Sequence, residues 1–158
     1  MNPPFFRSTW SNSLKLTTSL TLAILAIIFI FGGPIGAVFS GVLLLASLLL
    51  MINGYSIEQG KVVVHGLLWR RIFDLCELVD ITVEPGITSG SKVNLGFSGV
   101  FSALGNFTNP VLGDYQCFST DSKNAVVIDF VNKRIVVSPA DPEAFREAVM
   151  AESNRIHV

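Results

Sequence analysis

The sequence predicts a two-helix transmembrane hairpin followed by a mainly-β barrel that one C-terminal α-helix closes. The first observation is the charge distribution. Of the 158 residues 15% are charged, against roughly 25% in typical soluble domains. Arg7 and Lys15 are the only charged residues before Asn53, and residues 16–52 are uncharged. The second observation is that short alternating segments follow, and then helical spacing near the C-terminus. A membrane segment therefore precedes a water-soluble one.

The apolar stretch is long enough for two membrane spans. Residues 16–31 and 35–52 each approach the roughly 17–25 residues that cross a bilayer. Gly32-Gly33-Pro34 between them is a strong helix-breaking run. One uninterrupted helix over residues 16–52 would be about 55 Å long, far more than a bilayer needs. We therefore predict two helices with almost no loop between them.

The basic residues predict the orientation of this hairpin. Arg7 and Lys15 lie before the first span, in a predicted cytoplasmic tail over residues 1–15. Lys61 and two arginines follow the second span within about 20 residues, so the positive-inside rule places both termini in the cytoplasm. A cleaved signal peptide is the alternative, since a basic segment precedes an apolar one. No clear small-x-small cleavage site separates the two apolar runs.

The sequence of the water-soluble part predicts a domain of about seven strands over residues 53–151. Gln59-Gly60 separates the first two strands, a pattern typical of a short hairpin. Polar turn residues separate several later strands. The predicted strands are Tyr55–Glu58, Lys61–His65, Trp69–Leu75, Leu78–Glu84, Tyr115–Thr120, Ala125–Phe130 and Arg134–Ser138.

A C-terminal helix is predicted from Asp141-Pro142-Glu143. This run supplies an N-cap, a proline in the first turn and an acidic residue at the positive end of the helix dipole. Apolar residues then recur at helical spacing to about Ala151, and residues 152–158 are predicted to be a tail. Phe145 is expected to anchor the helix in the core.

Several segments resemble the short bacterial pleckstrin-homology-like (PH-like) domains found behind transmembrane helix pairs. They include residues 55–60, residues 96–101 and, most specifically, residues 137–145 with their strand, proline turn, capped helix and aromatic residue. The resemblance covers residues 53–151. It implies a PH-like barrel in a multi-pass protein of the bacterial inner membrane. The family has no general enzymatic activity that the resemblance would imply.

Residues 85–113 form the most unusual segment of the predicted domain. Lys92 is the only charge among its 29 residues, and six of them are glycine. Long loops without regular structure are often functional in compact domains. Two interpretations stay open, an extra core layer or an apolar surface for a partner helix or the bilayer interface. The candidate residues, some at spacings that suggest a helical turn, are Phe97, Val100, Phe101, Leu104 and Phe107.

A second candidate set is basic and aromatic and lies near the membrane. It consists of Lys61, Trp69, Arg70 and Arg71. Trp69 fits equally a core position or an interfacial anchor. Neighbouring residues of a strand point to opposite faces, so we expect that Arg70 and Arg71 do not form one cluster. The segment after Asn53 has a net charge of −3. Both points disfavour tight binding of an anionic headgroup.

The sequence contains no recognisable catalytic, cofactor or metal motif. Two cysteines argue against a disulfide scaffold and against a four-ligand zinc site. Cys76, Cys117 and His65 are too scattered to indicate a metal site. The net charge of −1 argues against nucleic-acid binding. A membrane enzyme would need a polar catalytic group, and the predicted spans offer only serine and threonine. We infer no small-molecule substrate.

These observations predict a non-enzymatic adaptor that is integral to the lipid bilayer. Asn53-Gly54 is almost no linker, so the domain is expected to stay close to the membrane and to other membrane proteins. The expected partners are membrane or peripheral proteins, or further copies of the chain through the hairpin. The alternative is direct sensing of lipid or of the membrane interface through the glycine- and phenylalanine-rich residues 85–113.

Overall fold

A computed structural model describes residues 4–98 and 101–156 of the chain. In these residues three α-helices and ten β-strands form. The helices are α1 (Asn12–Phe31), α2 (Gly33–Leu49) and α3 (Pro142–Ile156). The strands are β1 (Phe5–Arg7), β2 (Ile52–Glu58), β3 (Lys61–Gly66), β4 (Arg70–Asp74), β5 (Leu78–Val83), β6 (Lys92–Ser98), β7 (Ala103–Asn109), β8 (Gly113–Ser119), β9 (Val126–Phe130) and β10 (Lys133–Val137).

The two N-terminal helices pack against each other and meet at Gly32. The N–H of Gly32 donates to the carbonyl of Ile28 at 2.9 Å, which ends α1, and Pro34 lies in the first turn of α2. A Cβ on Gly36 would lie 2.7 Å from that same Ile28 carbonyl oxygen, so the small residue permits the close approach of the helices. By length and composition α1 can cross a membrane, whereas α2 is 17 residues long.

The first sheet has the strand order β1-β2-β3-β4, and all of its pairs are antiparallel. Gln59 and Gly60 connect β2 to β3 with positive φ at both residues, as a two-residue hairpin turn of type I′ requires. This confirms the predicted hairpin. β1 pairs Phe6 with Tyr55 of β2, so the described part of the N-terminal segment belongs to the sheet.

The second sheet has the order β5-β9-β10-β8-β7-β6. β8 and β10 are parallel, and the other pairs are antiparallel. The prediction of about seven strands closed into a barrel is therefore wrong in two respects. Ten strands form within the described residues, and they make two separate sheets that do not close.

The additional strands come from the N-terminal segment and from residues 85–113. That second segment was predicted to be irregular with one or two helical turns, but β6 and β7 form an antiparallel pair within it. Gly96 and Gly105 face each other there, and a Cβ on Gly96 would lie 2.7 Å from the Gly105 Cα. Glycine has no side chain that would indicate a strand in a sequence, so β6 and β7 show no clear alternation of apolar and polar residues.

The main core lies between the two sheets, with α3 packed against it. Phe145 and Val149 of α3 are fully buried. The ring of Phe145 contacts Phe6 and Tyr55 at centroid distances of 5.2 and 6.0 Å. The predicted anchoring role of Phe145 is thus confirmed, although α3 continues beyond Ala151 to Ile156. A smaller cluster of buried residues includes Phe107, Tyr115 and Cys117.

Candidate membrane-proximal interaction site

The end of α2 is fixed to the β-sheet domain by direct hydrogen bonds. The indole Nε1–H of Trp69 donates to the Leu49 carbonyl at 2.7 Å, and the Ser102 hydroxyl donates to the Leu50 carbonyl at 2.6 Å. These carbonyls belong to the last turn of α2, where no further helical N–H is available to bond them. The domain therefore supplies the donors that the helix end lacks.

The beginning of α1 is fixed to the domain as well. The backbone N–H of Phe101 donates to the Thr18 hydroxyl at 3.3 Å, and the rings of Trp10 and Phe101 lie 5.6 Å apart. Both Phe101 and Thr18 are buried. Together with the contacts of α2, these contacts form what we call the helix–domain junction, in which neither helix is joined by a free linker.

The N-terminal segment completes this attachment. The Ser8 hydroxyl donates to the Ile52 carbonyl at 2.8 Å, and the Thr120 hydroxyl donates to the Thr9 carbonyl at 2.7 Å. The N–H of Ala140 donates to the Arg7 carbonyl at 2.8 Å. Before α1 begins, this segment thus bonds to β2 of the first sheet and to residues that follow β8 and β10 of the second sheet.

The five residues predicted as an interaction loop lie in or near the β6–β7 hairpin. Phe101 and Phe107 are buried, and Leu104 packs against the main core. The backbone of Phe97 pairs with that of Leu104, while Val100 lies outside the described residues. The described phenylalanine rings contribute to packing rather than to an exposed surface.

The exposed apolar side chains of this hairpin are ones that the sequence analysis missed. Val93 and Leu95 of β6 are 46% and 74% exposed. β6 is the last strand of its sheet, and within the described residues no strand pairs with its outer edge. Open edges of this kind are templates for pairing with another chain. The scarcity of charge in residues 85–113 could have indicated an open edge strand, because natural proteins often protect such strands with charged side chains.

Three of the four predicted basic and aromatic residues line one groove. This basic groove, about 720 Å³ in volume, lies between the edge strand β4 and the β7–β8 part of the second sheet. Lys61 is not among its lining residues and pairs across the sheet with Asp74. The lining residues are Leu49, Leu50, Trp69, Arg70, Arg71, Ile72, Phe73, Leu104, Gly105, Asn106, Gln116, Phe118 and Lys133.

Arg70 and Arg71 are neighbours in β4, opposite His65 and Val64 of β3, and neighbouring strand residues point to opposite faces. The expectation that they do not form one cluster stays a prediction. Both residues border the basic groove, since β4 is the last strand of its sheet and, among the described residues, no further strand pairs with its free edge. Lys133 joins them from β10, with its ammonium group 5.1 Å from the centre of the Phe73 ring. Within the described residues none of the three cations forms an ion pair.

A hydrogen-bonded centre lies inside the core around the hydroxyl of Tyr55. This hydroxyl donates to the Phe118 carbonyl at 2.6 Å and accepts from the Ser138 N–H at 3.1 Å. Complete burial raises the pKa of Tyr55. The Ser138 hydroxyl in turn accepts from the Thr120 N–H at 2.7 Å. These groups satisfy one another and join β2 to the second sheet, which is a structural role.

The two thiols lie in different environments. Cys76 is exposed, and its hydrogen bond with Asp74 raises the pKa of its thiol. Burial raises the pKa of Cys117 to about 12, which keeps this thiol protonated and unreactive at neutral pH. In the part of the chain that the structure describes, no three His, Cys, Asp or Glu side chains converge as metal ligands.

The buried thiol makes the stability of the domain sensitive to alkaline pH. Cys117 has an ordinary pKa of 9.0 and a pKa of about 12 in the fold. Deprotonation above pH 9 therefore favours the unfolded chain, and this contribution is lost as the pH rises toward 12. We expect the free energy of unfolding to fall between pH 9 and 10, where the Cys117 thiol of the unfolded chain ionises ahead of most of its tyrosines. Denaturant titrations of a Cys76→Ser chain measure this fall. Cys117→Ala in that background should flatten the slope, and an unchanged slope would contradict the assignment.

Comparison with known proteins gives one finding about the family. A family model described as "Bacterial PH domain" matches residues 53–153, which is nearly the whole chain after the helical pair. No curated protein and no solved structure matches the chain.

Proposed function

Because this chain belongs to the bacterial PH domain family, we propose that it is a membrane-anchored, non-enzymatic adaptor. Both N-terminal helices cross the inner membrane in this proposal, and both termini are cytoplasmic. The domain binds a membrane or peripheral protein, or a further copy of the chain, close to the bilayer. PH-like domains are generally non-catalytic, and the buried Tyr55 and Cys117 offer no reactive group at neutral pH.

The pairing of β1 with β2 supports two crossings rather than one. Arg7 lies opposite Gly54 in this pair, so the chain leaves the domain and returns to it at neighbouring strands about 5 Å apart. A chain that leaves and returns on one side of a bilayer crosses it an even number of times. If α1 crosses, α2 must return, and the lysines and arginines then favour the cytoplasmic side.

The helix–domain junction is the observation that carries the adaptor proposal. The hydrogen bonds at Leu49, Leu50 and Thr18 leave little freedom between helices and domain. A domain held in this way presents the same surfaces to the bilayer and to its neighbours at all times. Fixed orientation lowers the entropy that a partner must overcome in order to bind.

The outer edge of β6 is the surface that best fits a protein partner. Its exposed Val93 and Leu95 and its free backbone groups suit an extended segment that adds as a further strand. The alternative of lipid sensing through residues 85–113 is less well supported, because Phe101 and Phe107 are buried and Phe101 contacts Thr18 and Trp10.

A topology experiment tests the membrane part of the proposal. Ile35, at the meeting point of the helices, is 85% exposed, so Ile35→Cys should be tolerated. In a Cys76→Ser background we expect this cysteine to react with an impermeant maleimide in cells whose outer membrane alone is permeabilised. Cys76 of the natural chain should react only after the inner membrane is disrupted. Labelling of both thiols under the same condition would refute the two crossings.

A crosslinking experiment tests the partner surface. A photoreactive amino acid replaces Leu95 in the full chain, and a matched chain carries it at Val131, which is also exposed and apolar but lies in the β9–β10 turn. We expect a discrete protein adduct in native membranes from position 95 and none from position 131. Lys substitution of Val93 should reduce the adduct several-fold, because a charge on an edge strand opposes pairing. Equal adducts from positions 95 and 131 would exclude the β6 edge.

A further inference from the structure

A cavity of about 280 Å³ lies between β8 and the start of α1. Tyr115, Cys117 and Ser119 of β8 line it, whereas Gln116 and Phe118 of the same strand line the basic groove. Since successive residues of a strand point to opposite faces, the cavity and the basic groove lie on opposite faces of the second sheet. The cavity is therefore a separate site.

Hydroxyl groups dominate the lining of this cavity. Ten of the sixteen residues that line it are serine, threonine or tyrosine. They come from the start of α1, from residues 88–91, from Ser102 and from residues 115–122. Among the described residues of the lining, Asp121 is the only one with a charged side chain. The cavity thus offers many hydrogen bonds and little charge.

Three hydroxyls of the lining have no hydrogen-bond partner within the described part of the chain. They belong to Thr88, Ser119 and Ser122. Ser119 is only 5% exposed, yet no fully buried polar side-chain atom of the described residues lacks a hydrogen bond. The Ser119 hydroxyl therefore opens into the cavity, where a ligand with hydroxyl groups supplies the missing partner.

Other hydroxyls of the lining are held by bonds within the domain. The Ser91 hydroxyl accepts from the Tyr115 hydroxyl at 2.7 Å and from the Asn109 amide at 2.9 Å, so its own hydrogen remains to donate. The Thr17 hydroxyl donates to the Ser13 carbonyl at 3.0 Å, so its lone pairs remain to accept. Donors and acceptors thus lie side by side, which is the pattern that the hydroxyls of a polyol complement.

We propose that this cavity binds one uncharged polyhydroxy molecule of about the size of a single sugar ring. Hydroxyls of the ligand pair with those of Thr88, Ser119 and Ser122. The Asp121 carboxylate accepts a further bond, and the carbon–hydrogen faces of the ligand pack against apolar lining that includes Phe107. The proposal adds a ligand to the domain and requires neither the two membrane crossings nor a protein partner.

Size and charge restrict the ligand. The volume of about 280 Å³ lies just below the roughly 300–1,000 Å³ of sites for drug-sized ligands, so one sugar ring fits and a disaccharide does not. Phosphorylated or carboxylated ligands are disfavoured, because the described lining holds one carboxylate and no lysine, arginine or histidine.

The test uses the full chain in phosphatidylcholine nanodiscs, which avoid detergents with sugar headgroups. Saturation-transfer NMR measures the binding of five uncharged probes, namely glycerol, ribitol, sorbitol, glucose and galactose, with empty nanodiscs as the blank. We expect at least one of these probes to bind saturably at millimolar concentration. The disaccharide sucrose should not bind.

Two variants of the lining locate the bound probe. Thr88→Val, Ser119→Ala and Ser122→Ala combined remove the hydroxyls without partners, so the fold should persist. Binding should weaken at least about tenfold, since three hydrogen bonds to the ligand are lost. Ala103→Leu, from the cavity side of β7, fills the space without removing a hydroxyl and should abolish binding.

A matched control removes three hydroxyls elsewhere. Thr82→Val, Ser19→Ala and Ser153→Ala combined change one threonine, one exposed serine and one buried serine, all outside the cavity. Binding should stay within about twofold of the natural chain, because distant sites contribute independently.

Four outcomes would overturn the proposal. If none of the five uncharged probes saturates, the cavity holds water alone. Equal binding by the natural chain and by Ala103→Leu places the bound probe elsewhere. Tighter binding of glucosamine than of glucose assigns the cavity to a cation beside Asp121, and tighter binding of glucose 6-phosphate assigns it to an anion.

Discussion

Replacing Phe145 with alanine is expected to lower the free energy of unfolding by about 3–5 kcal/mol, the usual cost of removing a fully buried phenylalanine ring. The ring contacts Phe6 from β1 and Tyr55 from β2, so its loss leaves a cavity where α3 meets the first sheet. Domains of this size have a free energy of unfolding of about 5–15 kcal/mol, so this change removes a large share of it. Urea titration of the full chain in mild detergent, followed by near-ultraviolet circular dichroism, measures it.

Arg146→Ala provides the control within the same helix. The side chain of Arg146 is 43% exposed and forms a surface ion pair with Glu143 at 3.3 Å. Exposed pairs contribute about 0–1 kcal/mol, so this variant should unfold close to the natural chain. If both variants unfold alike, α3 does not stabilise the core through Phe145.

Tyr55→Phe is expected to cost about 1–3 kcal/mol although it removes a single oxygen atom. The change leaves the Phe118 carbonyl and the Ser138 N–H without their partner inside the core. A buried polar group without a partner incurs its full desolvation cost. The same titration in detergent measures the loss, and the near-ultraviolet spectrum of the variant shows whether the native fold is kept.

Tyr115→Phe is the matched change at a second tyrosine. Its hydroxyl donates to the Ser91 hydroxyl at 2.7 Å, and Ser91 keeps a second bond from Asn109 at 2.9 Å. Fewer groups lose their partners, so we expect a cost below that of Tyr55→Phe. A larger cost at Tyr115 would contradict the view that Tyr55 is the principal polar link between the sheets.

The sequence was sufficient for the elements whose signals are local. The break at Gly32-Gly33-Pro34, the turn at Gln59-Gly60 and the capped helix with Phe145 follow from the conformational preferences of a few neighbouring residues. All three occur in the structure. The helical turn expected from the spacing of apolar residues in 97–104 was a wrong prediction. Glycine-rich strands show no alternation of apolar and polar residues, and this spacing fits more than one structure.

The arrangement of the candidate site depended on contacts between distant residues. Arg70 and Arg71 are identified from their position shortly after the second predicted span, but Lys133 lies about sixty residues further along and reaches the basic groove only through the sheet order. The separation of the two sheets creates that groove. No local pattern encodes whether two sheets close, since closure depends on edge pairing across the whole domain.

The position of the helical pair in the chain has a practical consequence. α1 and α2 occupy the connection between two paired strands, β1 and β2, in the way that a loop is inserted into a β-hairpin. Ser8 already bonds to Asn53 and Ile52, so Thr9 and Ile52 lie near one another. The entropic cost of closing a loop between two such points rises only slowly with the length of the loop, so a short connection can replace the long one. A turn of a few residues joining Thr9 to Ile52 should therefore yield a detergent-free domain that keeps its N-terminal strand, which a simple truncation at Asn53 would remove.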